Sequence, residues 1–175
     1  MRVAGVDPGT IQTGIGVIEQ DARGQYRLTH AETIKVNAKK TLPERLRDIY
    51  GALKEVLTIY RPDVVAIENV FFSKDFKAAV KIGEARAVAM LAAMDLNIPV
   101  EEYPPARVKE SVCGNGRAHK EQIQFMVKQL LRLKELPPPD SADALAVAIC
   151  HFHVRQWNAR PGVLTARALE GKQRV

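Results

Sequence analysis

Four carboxylates stand where short apolar segments of the sequence begin or end. Asp7 follows the predicted strand of residues 2–6, Glu68 ends the β-branched run "VVAIE", and Asp140 and Asp143 open the apolar stretch "DSADALAVA". Two acids at the ends of neighbouring strands would repel each other, and a cation between them offsets that repulsion. Mg²⁺ prefers carboxylate oxygens, and two such ions about 4 Å apart can cleave a phosphodiester. The pattern therefore predicts a metal-dependent phosphodiesterase site.

Each acid taken alone has an ordinary structural interpretation. Asp7 stands before the glycine turn of residues 8–10, Asp140 suits the N-cap of a helix after a proline run, and Asp143 suits the positive end of that helix. The i, i+3 spacing of the last two nevertheless places both on one helix face. The glycine turn lets the chain bend sharply and leaves the space beside Asp7 open. We therefore favour one shared site over separate caps and turns.

Hydrophobic periodicity predicts an α/β fold whose elements position these acids. Alternating apolar residues predict three strands at the start of the chain, joined by short turns as an antiparallel meander. A capping box of Thr41 and Glu44 begins the first helix, which ends before Arg61. Strands and helices then alternate, which predicts a mixed sheet with helices packed on it. The predicted strands cover 2–6, 13–18, 26–35, 64–68 and 98–103, and the later helices 77–94, 106–112, 123–133 and 140–152.

The composition is that of a globular protein with a localised positive charge. The chain has 175 residues, of which 46% are hydrophobic and 26% charged, and no apolar run is long enough to span a membrane. We expect one folded domain over residues 1–155 and a basic, flexible tail over residues 156–175. The net charge is +6, and the excess of lysine and arginine falls in residues 105–134 and 154–175. Such a local excess favours a surface that meets a polyanion.

Five motifs in order along the chain resemble those of the RuvC family of Holliday junction resolvases. They are "GVDPGTIQTGIGVIE", "AIENVFF", "KIGEARAVA", "VKESVCGNGRAHKEQIQFMV" and "DSADALAVAICH", and the resemblance runs from about Arg2 to Val154. It implies a ribonuclease H-like fold, a mixed five-stranded sheet flanked by helices. It also implies a cytoplasmic homodimer that nicks two strands of like polarity in four-way junction DNA and works with the RuvA–RuvB branch-migration motor.

The resemblance assigns the four acids to catalysis. Asp7, Glu68, Asp140 and Asp143 match the family's catalytic carboxylates, which are expected to hold two Mg²⁺ ions, with Mn²⁺ as a substitute. Some relatives carry histidine in place of the third acid, so this sequence is an all-carboxylate version. One departure is Asn69, where many relatives carry glutamine. It bears on contacts of the following loop and not on the reaction.

The resemblance also implies residues that contact DNA. Phe71 matches an aromatic residue that wedges against unpaired bases near the crossover. Lys109 and Lys120 match basic residues that approach the scissile strand. In the basic loop beside Lys120 we add Arg117 and His119 as expected DNA contacts.

The sequence leaves two questions open: the role of one helix stripe, and the choice between the junction nuclease and three other functions. The stripe Val80, Gly83, Ala87 and Met90 suits the intramolecular core, whereas the resemblance implies a helix that helps to build a dimer interface. "DPGT" before a strand also resembles the first phosphate loop of actin-like ATPases, but the chain has no second lobe and no second glycine-rich phosphate loop. The remaining two functions are an RNA-processing nuclease of the same fold and a junction-binding module without catalysis. The basic segment around the predicted DNA contacts favours junction DNA, and the four intact acids favour catalysis.

Phe71 generates a prediction. A resolvase must open base pairs at the crossover, and an inserted aromatic ring offsets part of the unstacking cost, which is on the order of a few kcal/mol. Phe71→Ala is therefore expected to cut fully paired junctions much more slowly than the wild type, and to recover rate on junctions with mismatches at the crossover. Single-turnover cleavage of both substrates measures this, and an equal loss on both would contradict a role in strand opening. The neighbouring variant Phe72→Ala is expected to lower the melting temperature instead.

Overall fold

The described chain forms one mixed sheet of five strands. The computed structural model of the protein describes residues 1–69 and 76–159. The strands are β1 (Arg2–Asp7), β2 (Gln12–Gln20), β3 (Tyr26–Lys35), β4 (Val64–Glu68) and β5 (Val100–Tyr103), in the order β3-β2-β1-β4-β5. β2 pairs antiparallel with β1 and β3, whereas β4 pairs parallel with β1 and β5. The predicted meander and mixed five-stranded sheet are confirmed.

Helices cover both faces of this sheet. Within the described ranges they are α1 (Leu42–Tyr60), α2 (Phe76–Met94), α3 (Pro105–Cys113), α4 (Lys120–Leu130) and α5 (Pro139–Asn158). Successive side chains of a strand point to opposite faces. Val6 and Ile67 therefore pack toward α1 and α2, whereas Val3 and Ala66 pack toward α3, α4 and α5. One apolar cluster lies on each face.

Local capping signals set the ends of α1. The backbone N–H of Thr41 donates to Oε2 of Glu44 at 2.8 Å, and Pro43 lies in the first turn, where a missing N–H costs little. At the other end, Arg61 adopts a left-handed conformation (φ 44°), and its N–H donates to the carbonyl oxygen of Leu57 at 2.9 Å. Both predicted ends of this helix are confirmed.

α5 is longer than its apolar residues predict. It begins at Pro139 and continues to Asn158, beyond the predicted end at Phe152. The last turns carry polar residues that do not show in a hydrophobic pattern, although they continue the helix. Residues 156–158 of the predicted flexible tail are thus helical, and residues 160–175 lie outside the described residues.

α5 packs directly on β1 and β2 because these strands carry glycine where the helix crosses them. A β-carbon on Gly5 would lie 1.9 Å from the carbonyl oxygen of Ala144, and one on Gly14 would lie 2.0 Å from the carbonyl oxygen of Asp140. Both distances are far below van der Waals contact, so any larger residue would push the helix off the sheet. Because Gly14 pairs with Asp7 in the β1–β2 ladder, the first turn of α5 is held next to Asp7.

α2 does not bury the stripe that its spacing suggests for the core. Val80 and Ala87 are exposed, whereas the buried face consists of the alanines at positions 85, 89, 92 and 93. The core interpretation of the stripe is therefore wrong for these two residues. The alanine face is buried instead because its small side chains let the helix lie close to its neighbours. No helix in the described ranges, α2 included, is long and apolar enough to cross a membrane.

The close approach of α5 generates a second prediction. Gly14→Ala is expected to lower the free energy of unfolding by about 1–3 kcal/mol, because overpacking at this position displaces the helix. Urea denaturation measures the change. The matched control is Gly51→Ala on α1, where a β-carbon meets nothing within 4 Å. That variant is expected to gain about 0.5–1 kcal/mol, because alanine favours a helix interior over glycine. A Gly14→Ala protein as stable as the wild type would contradict the close packing.

Candidate active site

Asp7 and Glu68 end two neighbouring parallel strands. Val6 of β1 lies beside Ile67 of β4 in the parallel register, so each acid occupies the next position of its strand. Since these apolar neighbours pack toward α1 and α2, both acids point to the opposite face, which α5 covers. The predicted convergence of the two strand ends is thus a feature of the fold.

The first turn of α5 brings two further acids to the same place. Pro138 is the N-cap and Pro139 occupies the first helical turn, where proline is well tolerated. Asp143 lines a cleft that also contains Asp7. Asp140 does not line this cleft, but its charge contributes to the raised pKa of Asp7, which places it close by.

A contact between two hydroxyl groups attaches this turn of α5 to β3. The side chain of Ser141 is buried, and its Oγ lies 3.3 Å from Oγ1 of Thr33. Thr33 pairs with Gly14, and Gly14 pairs with Asp7. The contact therefore anchors the start of α5 on β3, two strands from β1, while the turn itself lies beside Asp7. The sequence interpretation missed this pair, because a serine in a helix start reads equally well as an ordinary polar residue.

The acids share their cleft with two lysines. The cleft has a volume of about 230 Å³. Its polar lining consists of Asp7, Glu68, Asp143, Lys109 and Lys120. Its remaining walls are apolar and come from α3, α4 and α5: Pro105, Val108, Ile123 and Ala146. The structure therefore brings together three of the four predicted acids and both predicted scissile-strand lysines.

Burial and mutual repulsion shift the pKa values of the two strand-end acids. Burial raises the pKa of Asp7 to about 7, and the charges of Glu68 and Asp143 add to the rise. Burial also raises the pKa of Glu68 to about 7, with a further contribution from Asp143, while Lys109 and Lys120 act to lower it. Carboxyl groups with strongly raised pKa values cluster at catalytic and binding sites, so these two acids are candidates for such a site.

Lys120 neutralises part of the acidic cluster. Its Nζ donates to Oδ2 of Asp143 at 3.1 Å, and this hydrogen bond is the main cause of the raised pKa of the lysine. The charges of Asp7 and Asp140 raise it further. The side chain of Lys120 is nevertheless 67% exposed, so its ammonium group can also bind a phosphate that enters the cleft.

The donor chemistry of the site fits a hard divalent cation. Clustered carboxylates are the ligands that Mg²⁺ prefers, and a cation among them would offset both the burial of the charges and their repulsion. In residues 1–69 and 76–159, no three potential ligands already converge on a single point.

The loop after Asp7 is held from two sides. Oγ1 of Thr13 accepts from the N–H of Gly9 at 3.3 Å and donates to the carbonyl oxygen of Gly9 at 2.7 Å. Arg45 of α1 donates from Nη1 to a carbonyl oxygen of the loop at 3.1 Å. A β-carbon on Gly9 would lie 2.2 Å from the carbonyl oxygen of Gln12. Gly9 thus allows the sharp bend that makes the loop compact.

Two of the other predicted DNA contacts lie outside the cleft. Arg117 and His119 are exposed in the connection between α3 and α4 and do not line the cleft. The N–H of Arg117 donates to Oδ1 of Asn115 at 2.9 Å, and His119 caps α4, with its N–H donating to Oε1 of Gln122 at 2.9 Å. Phe71 lies outside the described residues. Contacts of these three residues with DNA remain predictions.

Known proteins resemble the chain over most of its length. The model of the family "Crossover junction endodeoxyribonuclease RuvC" matches residues 3–151. The crossover junction endodeoxyribonuclease RuvC of Dehalococcoides mccartyi is 49% identical over 158 residues, which are 90% of this chain and 94% of that protein. A structure of Thermus thermophilus RuvC has a TM-score of 0.82 at 39% identity and covers 92% of this chain and 99% of its own. T. thermophilus RuvC in complex with Holliday junction substrate has a TM-score of 0.80 at 37% identity, over 89% and 96%.

Fold and site define a nuclease with a ribonuclease H-like fold. The mixed five-stranded sheet, the helices on both faces and the acids at adjacent strand ends are its features. The chain belongs to the RuvC family of crossover junction endodeoxyribonucleases. Nucleases of this family depend on a metal ion, in agreement with the carboxylates that gather at the cleft.

The acidic cluster generates a third prediction. Asp7→Asn is expected to lower the nicking rate by roughly 10³-fold or more, because a carboxylate that holds a catalytic metal controls several kcal/mol of transition-state stabilisation. Affinity for DNA is expected to persist or to rise, since that affinity comes mainly from lysine and arginine. Cleavage rate and DNA affinity are measured on the same preparation. Normal cleavage by this variant would falsify the assignment of the site.

Proposed function

We propose that this chain resolves Holliday junctions by nicking two strands of like polarity with the help of Mg²⁺. The observation that carries the proposal is a single cleft in which Asp7, Glu68 and Asp143 face Lys109 and Lys120. Carboxylates hold divalent cations and lysines hold phosphates, so one cleft contains both groups that phosphodiester cleavage requires. The likeness to T. thermophilus RuvC bound to Holliday junction substrate supports the choice of substrate.

The acids and the lysines of the cleft have different roles in the proposed reaction. The three acids of the cleft hold the metal, with Asp140 at its margin as a fourth ligand. When bound, two Mg²⁺ ions supply an activated water and stabilise the leaving 3′ oxygen. Lys109 and Lys120 hold the phosphate of the scissile strand against the acids. The apolar walls from α3, α4 and α5 limit the access of bulk water. Hydrolysis leaves a 5′ phosphate and a 3′ hydroxyl.

A homodimer is part of the proposal. α2 exposes large apolar side chains, with Val80 at 43%, Leu91 at 58% and Met94 at 58% of their accessible surface. An apolar helix face of this kind is typical of an interaction surface. A two-fold dimer through α2 would present two active sites, one for each nick. From its family we also expect the chain to act in the cytoplasm with the RuvA–RuvB complex.

The three competing functions are not favoured. The family that matches the chain consists of enzymes that cut crossover junction DNA, and all four acids are present, which speaks against a module without catalysis. An RNA-processing nuclease would share the fold and the metal chemistry, so the substrate itself has to distinguish it. An actin-like ATPase is not favoured, because the family model that matches residues 3–151 is that of a crossover junction nuclease.

Cleavage of junction DNA, linear duplex and RNA, each with and without metal, tests the proposal. We expect paired nicks in junction DNA with Mg²⁺ or Mn²⁺, because both suit compact octahedral oxygen sites. Ca²⁺ is expected to allow binding with little cleavage, because its larger and looser shell misplaces the attacking water. Ligase should seal the products. Preferential cleavage of RNA, or nicks that ligase cannot seal, would contradict the proposal.

A further inference from the structure

A second group of lysines lies at the active-site end of the sheet. Lys35 ends β3, and Lys39 and Lys40 follow in the connection to α1. All three residues are exposed. We call them the β3–α1 basic surface. They stand on the β3 side of the acids, whereas Lys109 and Lys120 come from α3 and α4.

Strand pairing fixes the distance of Lys35 from Asp7. Lys35 pairs with Gln12, two residues before Gly14, and Gly14 pairs with Asp7. Neighbouring strands lie about 4.8 Å apart, and each residue advances about 3.4 Å along a strand. The Cα atoms of Lys35 and Asp7 are therefore about 12 Å apart.

The side chain of Lys35 lies on the face of the sheet that carries the acids. Residues two apart on a strand share a face. Thr33 contacts Ser141 in the first turn of α5, so its face is the one that α5 covers. Lys35 thus extends that face past the start of the helix, while Asp7 occupies it on β1.

Two hydrogen bonds attach the end of β3 and the start of α1, which flank the surface, to the loop that follows Asp7. The N–H of Val36 donates to the carbonyl oxygen of Ile11 at 3.0 Å. Nη1 of Arg45, at the start of α1, donates to the carbonyl oxygen of Thr10 at 3.1 Å. The loop, the end of β3 and the start of α1 therefore form one unit beside the catalytic acids.

The charge of this surface is largely uncompensated. Lys40 pairs with Asp48, with Nζ 2.5 Å from Oδ2. Lys35 and Lys39 form no ion pair with any other described residue. Exposed ammonium groups without acidic partners, next to a phosphodiester-cleaving site, are suited to bind the phosphates of a DNA backbone.

We propose that the β3–α1 basic surface binds the phosphate backbone of the junction arm that continues from the scissile phosphate. The proposal rests on the proposed function. Because duplex DNA rises about 3.4 Å per base pair, a distance of about 12 Å from Asp7 corresponds to three or four base pairs beyond the cut. Lys109 and Lys120 then hold the arm at the cut, and Lys35 and Lys39 hold it farther along. Two such contacts on one rigid face fix the direction in which the arm leaves the active site.

The salt dependence of junction binding tests this surface. The double variant Lys35→Ala/Lys39→Ala is expected to bind more weakly and to flatten the slope of log affinity against log salt by about 1.8, because each phosphate contact contributes about 0.9. The matched control is Arg23→Ala. Arg23 is an exposed cation in the turn at the other end of the β2–β3 hairpin, and it forms no ion pair with any described residue. Its removal is expected to leave the slope unchanged.

The outcomes separate this proposal from the function on which it rests. If the double variant has the same slope as the Arg23→Ala protein, the proposed role of the β3–α1 basic surface is wrong. If Lys109→Ala still flattens the slope in the same assay, the proposed function is unaffected. A wild-type protein that does not prefer junction over linear duplex would overturn the proposed function. Equal melting temperatures for all variants exclude unfolding as the cause. The charge-reversed Lys35→Glu/Lys39→Glu protein is expected to lose more affinity than the alanine variant.

Discussion

The site depends on one close contact, in which α5 lies directly against the backbone of β1 and β2. Gly5 and Gly14 leave no side chain between helix and strands, and the carbonyl oxygens of Ala144 and Asp140 occupy the positions that β-carbons would take. The acids of the helix thereby reach the acid that ends β1. A helix farther from the sheet, as ordinary side-chain packing requires, would separate the two halves of the cluster by several ångströms. Parallel pairing of β1 with β4 then adds Glu68 to the same cluster.

This arrangement costs stability, and the rest of the fold offsets the cost. The pKa values of Asp7 and Glu68 are raised to about 7, mainly by burial, so their charged forms oppose folding near neutral pH. Lys120 compensates only part of this cost through its hydrogen bond to Asp143. Apolar clusters on both faces of the sheet supply the opposing stability. A divalent cation at the acids would remove the repulsion directly, so the residues that weaken the fold are the same ones that we propose as metal ligands.

The local patterns of the sequence predict the strands, the helices and the positions of the acids along them, because periodicity and capping are properties of nearby residues. They predict the buried face of α1 through Ile49, Leu53 and Val56, but they do not predict the buried face of every element. For α2, the spacing shows that Val80 and Ala87 share a face, but only the packed structure shows that this face is exposed. The contact of Ser141 with Thr33 joins residues 108 positions apart and leaves no local signal.

The location of Lys35 likewise depends on strand register. Acidic residues elsewhere in the first part of the chain offset its charge, so this part of the sequence shows no local basic excess. Only the pairing with Gln12 places Lys35 beside the active site. The role of Phe71 still rests on the resemblance alone. Residue types and spacing thus indicate candidate reacting groups, whereas the surfaces around them require the three-dimensional arrangement.

Thermal unfolding of the wild type and Asp7→Asn at pH 8, each in EDTA and with Mn²⁺, tests most directly whether the four acids form one cation-binding cluster whose repulsion weakens the metal-free fold. The pKa of Asp7 is raised in the folded protein, so at pH 8 its ionised carboxylate lowers the free energy of unfolding. In EDTA the variant is therefore expected to melt roughly 2–4 °C higher than the wild type, which corresponds to about 1 kcal/mol. Mn²⁺ is expected to raise the melting temperature of the wild type and to have a much smaller effect on the variant. A variant that is less stable in EDTA and shows the same shift with Mn²⁺ would contradict the account.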